Sequence, residues 1–191
     1  LVRFAKNGND VTSAAVRLAR HVTSSNHILF CGYHGWQDWY ASKTSMNSGI
    51  PSSIKEYSHR FEYNNLNDLE DLLKKYKGDT ACIIMEPTNI VEPLTDYLKS
   101  IRELADKYNT LLIFDEIVTG FRFDRGGFQK FCGVTPDLAT FSKAISNGMP
   151  LSALVGKKEY MKKCPDILFT MTFAGEAFFY APQVFCSDGW L

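Results

Sequence analysis

The chain alternates short apolar runs with amphipathic stretches. The runs are Asn26-His27-Ile28-Leu29-Phe30-Cys31, Ala81-Cys82-Ile83-Ile84-Met85, Leu111-Leu112-Ile113-Phe114 and Leu138-Ala139-Thr140-Phe141-Ser142. Each is bounded by polar or Gly-containing segments, a pattern that suits strands buried on both faces. Between them, Val11, Ala14, Ala15, Leu18 and Ala19 recur at helical spacing, as do Leu66, Leu69, Leu72 and Leu73 within 65–76. Pro93 to Tyr108 reads as a further helix with Pro at its start, where the missing N–H is tolerated. Strands alternating with helices predict an α/β fold, a mainly parallel sheet flanked by helices and joined by right-handed crossovers. Ser152-Ala153-Leu154-Val155-Gly156 follows a short Gly-Met-Pro turn. That link is too short for a helical crossover, so this strand is expected to run antiparallel. Leu1 to Ala5 reads as a short extended segment. Ala41 to His59, Ser-rich and containing Gly49-Ile50-Pro51, reads as a loop covering a site or a partner surface.

Composition narrows the class. With 191 residues, 45% apolar and 22% charged, the chain suits one soluble globular domain with a real core. The zero net charge removes any global electrostatic argument for nucleic acid or an anionic membrane surface. No apolar run approaches the roughly 20 residues of a membrane helix. The five cysteines have no C-x-x-C pair, which predicts reduced thiols and a cytoplasmic protein. The four histidines lack metal-ligand spacing, so no metal is expected. The chain starts at Leu1, without an initiator Met and close ahead of a candidate functional turn, so it is expected to be a piece of a longer one.

Chemistry concentrates in Leu111–Lys143. One apolar run meets Asp115 and Glu116; the next closes on Lys143. In open α/β sheets the crevice beyond the carboxyl ends of the strands binds ligands. An acid and a lysine delivered there suit a cofactor with a ring nitrogen and an aldehyde. The lysine would also serve as a base, with burial near other cations lowering its pKa. The plainer readings are a capping or ion-paired Asp115 and a solvated Lys143. Two turns lie upstream. Lys6-Asn7-Gly8-Asn9-Asp10 precedes a helix that Asn9 or Asp10 is expected to cap, forming an anion site if Asp10 turns its charge away. Gly32-Tyr33-His34-Gly35-Trp36 is expected to hold Tyr33 and His34 on an exposed tip, either stacked on a flat cofactor or filling the sheet edge with aromatics.

Taken together, the motifs resemble the class III aminotransferases, fold-type-I pyridoxal-phosphate enzymes, and within them glutamate-1-semialdehyde aminomutase and its relatives. The resemblance is carried by Asp115-Glu116-Ile117-Val118-Thr119-Gly120-Phe121-Arg122 and by Phe141-Ser142-Lys143 with Gly148 and Pro150. It extends to Asn7-Gly8-Asn9-Asp10, Tyr33-His34-Gly35, Glu86-Pro87 and Thr172-Phe173-Ala174-Gly175. It implies that Lys143 forms the aldimine of pyridoxal 5'-phosphate and that Asp115 pairs with the pyridine nitrogen. Ile117 and Tyr33 would flank the ring, and Gly8 and Asn9 would hold the phosphate. Thr172 would reach the phosphate of a neighbouring subunit in a homodimer, with His34 and Glu86 in the surrounding shell. It further implies a small amino-acid or amino-aldehyde substrate and a keto partner, with no nucleic acid and no membrane. Residues 1–175 would form part of the cofactor-binding large domain. The family's small domain is expected to be absent, and 176–191 are expected to form an atypical tail.

Asn9-Asp10-Val11 departs from the family's more usual Thr/Ser-Glu-Ala. The alternatives to a general aminotransferase are glutamate-1-semialdehyde 2,1-aminomutase proper and an inactive fold-type-I binding or dimerisation module. A nucleotide-binding domain of Rossmann type would need a G-x-G-x-x-G after a strand, which the chain lacks.

Overall fold

The expected strands form where the apolar runs lie, in a computed structural model that describes residues 1–173. The tail expected at 176–191 lies outside the described residues. In chain order the elements are β1 (Val2–Ala5), α1 (Gly8–Thr23), β2 (His27–Cys31), α2 (Asp38–Ala41), α3 (Ser52–Lys55), β3 (Ser58–Arg60) and α4 (Leu66–Lys75). There follow β4 (Thr80–Met85), α5 (Tyr97–Lys107), β5 (Leu111–Asp115), α6 (Gly127–Cys132), β6 (Leu138–Phe141), β7 (Ser152–Gly156) and α7 (Lys158–Met161).

Among the described residues the strands make one sheet in the order β1-β7-β6-β5-β4-β2-β3. Strands β3, β2, β4, β5 and β6 pair in parallel, and β7 is antiparallel to both β6 and β1. Two reversals cancel, so β1 points the same way as the parallel strands. The carboxyl ends of β1, β2, β4, β5 and β6 therefore share one edge of the sheet.

Successive strand side chains face opposite ways, and both faces are apolar. Ile28, Phe30, Ile84, Ile113 and Leu138 pack with Ala15, Leu18 and Ala19 of α1. Leu29, Ile83, Leu112 and Phe114 face Leu69 and Leu73 of α4 and Leu98 and Ile101 of α5. A smaller cluster joins Ala139, Phe141, Ile145 and Ala153 near β1.

Asp137 ties the two central strands together behind the site. Its carboxylate accepts hydrogen bonds from Leu112 N (2.8 Å), Arg102 Nη1 (2.8 Å) and Lys157 Nζ (2.6 Å). Burial pushes its pKa up, but the bonds from Lys157, Leu112 and Arg102 outweigh it and hold the carboxyl below its ordinary range.

Three expectations need correction. Residues 93–96 are not helical, and α5 starts at Tyr97. Asn64 brackets the start of this segment, donating to Glu92 O (3.0 Å) and accepting from Leu94 N (3.0 Å). The stretch 41–59 is not a plain loop: it carries α3 and feeds β3, a parallel edge strand on β2. Neither Asn9 nor Asp10 is the N-cap of α1; Asn7 is, and Gly8 is already helical.

Candidate active site

The shared sheet edge opens into a cavity of ≈ 510 Å³. It is lined by residues leaving five strands: Gly8 and Asn9 after β1, Tyr33 and His34 after β2, Glu86 after β4, Asp115 and Ile117 at β5, and Lys143 after β6. This gathers the cofactor residues expected from the sequence, apart from Thr172. That residue is exposed and does not line the cavity.

Helix α1 presents its N-terminus to the cavity. The first N–H groups of a helix lack internal partners and favour an anion, as does the dipole. Asp10 turns back, its Oδ2 accepting from Asn7 N (3.0 Å) and Asn7 Nδ2 (3.2 Å), so its charge is engaged at the cap. Asn9 Oδ1 accepts from Trp36 N (3.3 Å), while its amide nitrogen makes no hydrogen bond among the described residues. Thr12 Oγ1 donates to His34 O (3.0 Å), locking α1 to the aromatic turn. At Gly8 a Cβ would lie 2.6 Å from Ile117 Cδ1, so this contact wants glycine.

The turn after β2 separates its two rings. Tyr33 is 64% exposed and lines the cavity, as expected of a stacking ring. His34 is 1% exposed, not at an exposed tip. It lies against Trp39, ring centroids 5.9 Å apart at 21°, and Tyr40 and Phe30 complete the cluster, so His34 fills an aromatic cluster at the sheet edge while Tyr33 stays exposed at the cavity. Gly32 turns the chain at φ +106°, where a Cβ would meet Glu86 Oε2 at 2.6 Å. The same Glu86 oxygen accepts from Tyr33 N (3.0 Å), so Glu86 sets the backbone that carries the ring.

Asp115 is 2% exposed. Its Oδ2 pairs with His34 Nδ1 at 2.7 Å, and its Oδ1 accepts from Ile117 N (3.1 Å) and Thr140 Oγ1 (3.3 Å). A carboxylate has about four acceptor positions, so one remains toward the cavity. His34 Nε2 meets Cys31 O at 3.1 Å, so both ring nitrogens face acceptors. A proton on each nitrogen satisfies both contacts; a single proton satisfies one.

Lys143 opens a 3₁₀ turn, Lys143–Ser146, at φ 48°. This left-handed backbone is uncommon outside glycine and asparagine. The burial expected for its amine is not found, because the turn juts between two clefts and leaves Lys143 exposed.

Thr140 and Glu116 were missed as supporting residues. Thr140 is a hydroxyl inside an apolar run, in register with Asp115. Glu116 is fully buried and accepts from Thr119 Oγ1 (2.9 Å), Phe128 N (2.5 Å) and Gln129 N (3.0 Å), capping α6 from the strand end beside Asp115. Its signal was an acid adjoining a candidate catalytic acid with no cation nearby in sequence.

Comparison with known proteins agrees with this geometry. The family model described as Aminotransferase class-III matches residues 1–181. The 3-aminobutyryl-CoA aminotransferase of Cloacimonas acidaminovorans is 44% identical over 175 residues, covering 88% of this chain and 42% of that protein. The glutamate-1-semialdehyde 2,1-aminomutase of Legionella pneumophila (strain Paris) is 40% identical over 175 residues, covering 84% and 41%. The chain thus spans about two-fifths of the length of these relatives. Among solved structures, the PLP internal aldimine form of the FumI protein of Sphingopyxis sp. MTA144 superposes with a TM-score of 0.88 at 30% identity, covering 96% of this chain and 45% of that one. An omega-transaminase of Sphaerobacter thermophilus superposes with a TM-score of 0.87 at 26% identity, covering 98% and 49%. The chain belongs to the aminotransferase class-III family.

Proposed function

We propose that the chain is the cofactor-binding part of a pyridoxal-phosphate-dependent aminotransferase. It would move an amino group between a small amino-acid or amino-aldehyde substrate and a keto partner. The observation that carries this reading is Asp115: a buried, three-bonded carboxylate with acceptor capacity left toward a cavity that Lys143 also lines.

The residues fit the cofactor by their chemistry. The N-terminus of α1, with Gly8 and Asn9, suits a phosphate. Tyr33 and Ile117 offer flat and aliphatic surfaces for the ring. Asp115 suits a protonated ring nitrogen, and Lys143 an aldehyde. When bound, pyridoxal phosphate supplies a carbonyl that takes up amines and a ring that takes up electrons as a substrate proton leaves.

The chain's own residues do the rest. Asp115 keeps a proton on the ring nitrogen by charge. His34 and Thr140 hold Asp115 in place. Lys143 anchors the cofactor and carries the proton at its Nζ. Glu86 holds the Tyr33 backbone. Residues 1–175 act as the large domain of a cytoplasmic homodimer, in which Thr172 reaches the neighbouring subunit's phosphate. No helix among the described residues is long and apolar enough to cross a membrane.

The test is spectral. Full-length protein mixed with pyridoxal phosphate should turn yellow, and Lys143→Ala should lose that absorbance. Undiminished colour in the variant would remove Lys143 as the anchor.

A further inference from the structure

We propose that Tyr40, which lies outside the cofactor cavity, is a positioning residue that holds the Tyr33 ring at the angle in which it receives the cofactor ring. The inference rests on the aminotransferase reading above and adds to it the residue that sets the stacking ring.

Tyr33 needs such support. It stands 64% exposed on the turn between Gly32 and Gly35, neither of which gives its ring a side chain to lean on. Glu86 holds the Tyr33 backbone N–H (3.0 Å) but not the ring. An exposed tyrosine turns freely about its χ angles, and that freedom is lost when a flat ligand stacks on it. A ring already held in place loses less, so the ligand binds more tightly.

Among the described residues Tyr33 has one aromatic neighbour, Tyr40, with ring centroids 5.6 Å apart at 81°. Aromatic pairs prefer this edge-to-face arrangement, and it defines the tilt of one ring by the other. Tyr40 is not among the residues that line the cavity, so it acts through Tyr33. Its hydroxyl makes no hydrogen bond among the described residues, which leaves the ring as the part that matters.

Tyr40 can set Tyr33 because it is itself anchored. It packs on Phe30, with centroids 5.4 Å apart at 69°, and on His34, with centroids 5.6 Å apart at 80°. The neighbouring Trp39 is buried, stacks on His34 and donates from Nε1 to Ser13 Oγ (3.1 Å). Ser13 belongs to α1, whose N-terminus faces the cavity. The short helix α2 is therefore tied to the same helix that suits the phosphate. The ring wall and the phosphate end keep a fixed relation through Trp39 and Tyr40.

The experiment titrates the full-length protein with pyridoxal phosphate and reads the yellow absorbance and its circular dichroism. Tyr40→Leu should raise the Kd about 3–10-fold, the worth of one aromatic pair. It should also lower the visible ellipticity per bound cofactor, because the ring wall loses its fixed tilt. Tyr40→Phe should match the wild type in both readouts. In a Tyr33→Leu background, Tyr40→Leu should change neither, since the ring it sets is gone. A residue that only supports the fold would weaken binding equally in both backgrounds and lower the urea midpoint. If Tyr40→Leu does not fold, Tyr40→Met fills the space without a ring face and is read the same way. A wild-type Kd in the Tyr40 variant, or an equal rise with and without Tyr33, overturns the proposal. If the wild type takes no colour, or Lys143→Ala keeps it, the aminotransferase reading fails and the proposal with it. If the colour behaves and Tyr40 does not matter, only the role of Tyr40 fails.

Discussion

A carboxylate survives in a core only when its oxygens are occupied, and Asp115 meets this need through residues distant in sequence. His34 comes from the turn after β2 and Thr140 from β6. Truncating His34 removes a donor to a buried charge and leaves a cavity beside Trp39. His34→Ala is therefore expected to cost about 3 kcal/mol in stability, read as a lower urea midpoint at constant m. It should also weaken uptake of pyridoxal phosphate by about tenfold, because the freed carboxylate no longer holds one orientation. A midpoint equal to wild type would mean that the His34–Asp115 contact carries no weight.

At the scale of elements, the site depends on how strands and helices end. Helix α1 begins two to three residues earlier than expected because Asn7, with Asp10 three positions on, forms the better cap. Helix α6 begins where Glu116 receives its first N–H groups. The β2–β3 edge is held differently, by a ring cluster at the end of the sheet away from the site. His27 Nδ1 lies 2.9 Å from His59 Nε2, and Tyr76 stacks on both rings with centroids 4.1 Å away. Burial, then the charges of His27, Lys43 and Lys75, lower the His59 pKa from 6.5 to about 4.

The sign of the pH effect follows from that shift. Unfolded chains bind the proton near pH 6.5, while folded ones refuse it until about pH 4. Stability from this group is thus complete above pH 6.5 and is lost as pH falls toward 4. The urea midpoint should decline across that window, and His59→Gln should flatten the decline. An identical slope in the variant would assign it to other groups.

At the scale of the whole molecule, a chain that spans about two-fifths of the length of the relatives it matches is expected to turn over poorly by itself. The cofactor cavity opens at the sheet edge, and Thr172 does not reach it. Large side chains such as Phe131 (64%), Phe121 (42%) and Met149 (40%) stand exposed. Residues 1–191 alone should transaminate at least about tenfold less efficiently than the full-length protein, because positioning contacts are missing. Sedimentation of the full-length protein should give a dimer. Robust turnover by the isolated piece would show that its own residues complete the site.

Much of the fold was legible because a buried parallel strand must be apolar on both faces, and only such runs read unambiguously. Strand ends then located Asp115 and Lys143, and spacing put the anion turn ahead of α1. Tertiary structure decided what local pattern leaves open. His34 is buried rather than exposed because Asp115 and Cys31 O, from different strand ends, both lie within hydrogen-bond reach of its ring nitrogens. The segment ahead of α5 stays non-helical where Asn64 binds Glu92 O and Leu94 N. Glu116 became a cap because the chain after β5 folds back onto it. Each outcome is a long-range hydrogen bond, and the partner is set by the packed sheet rather than by neighbouring residues.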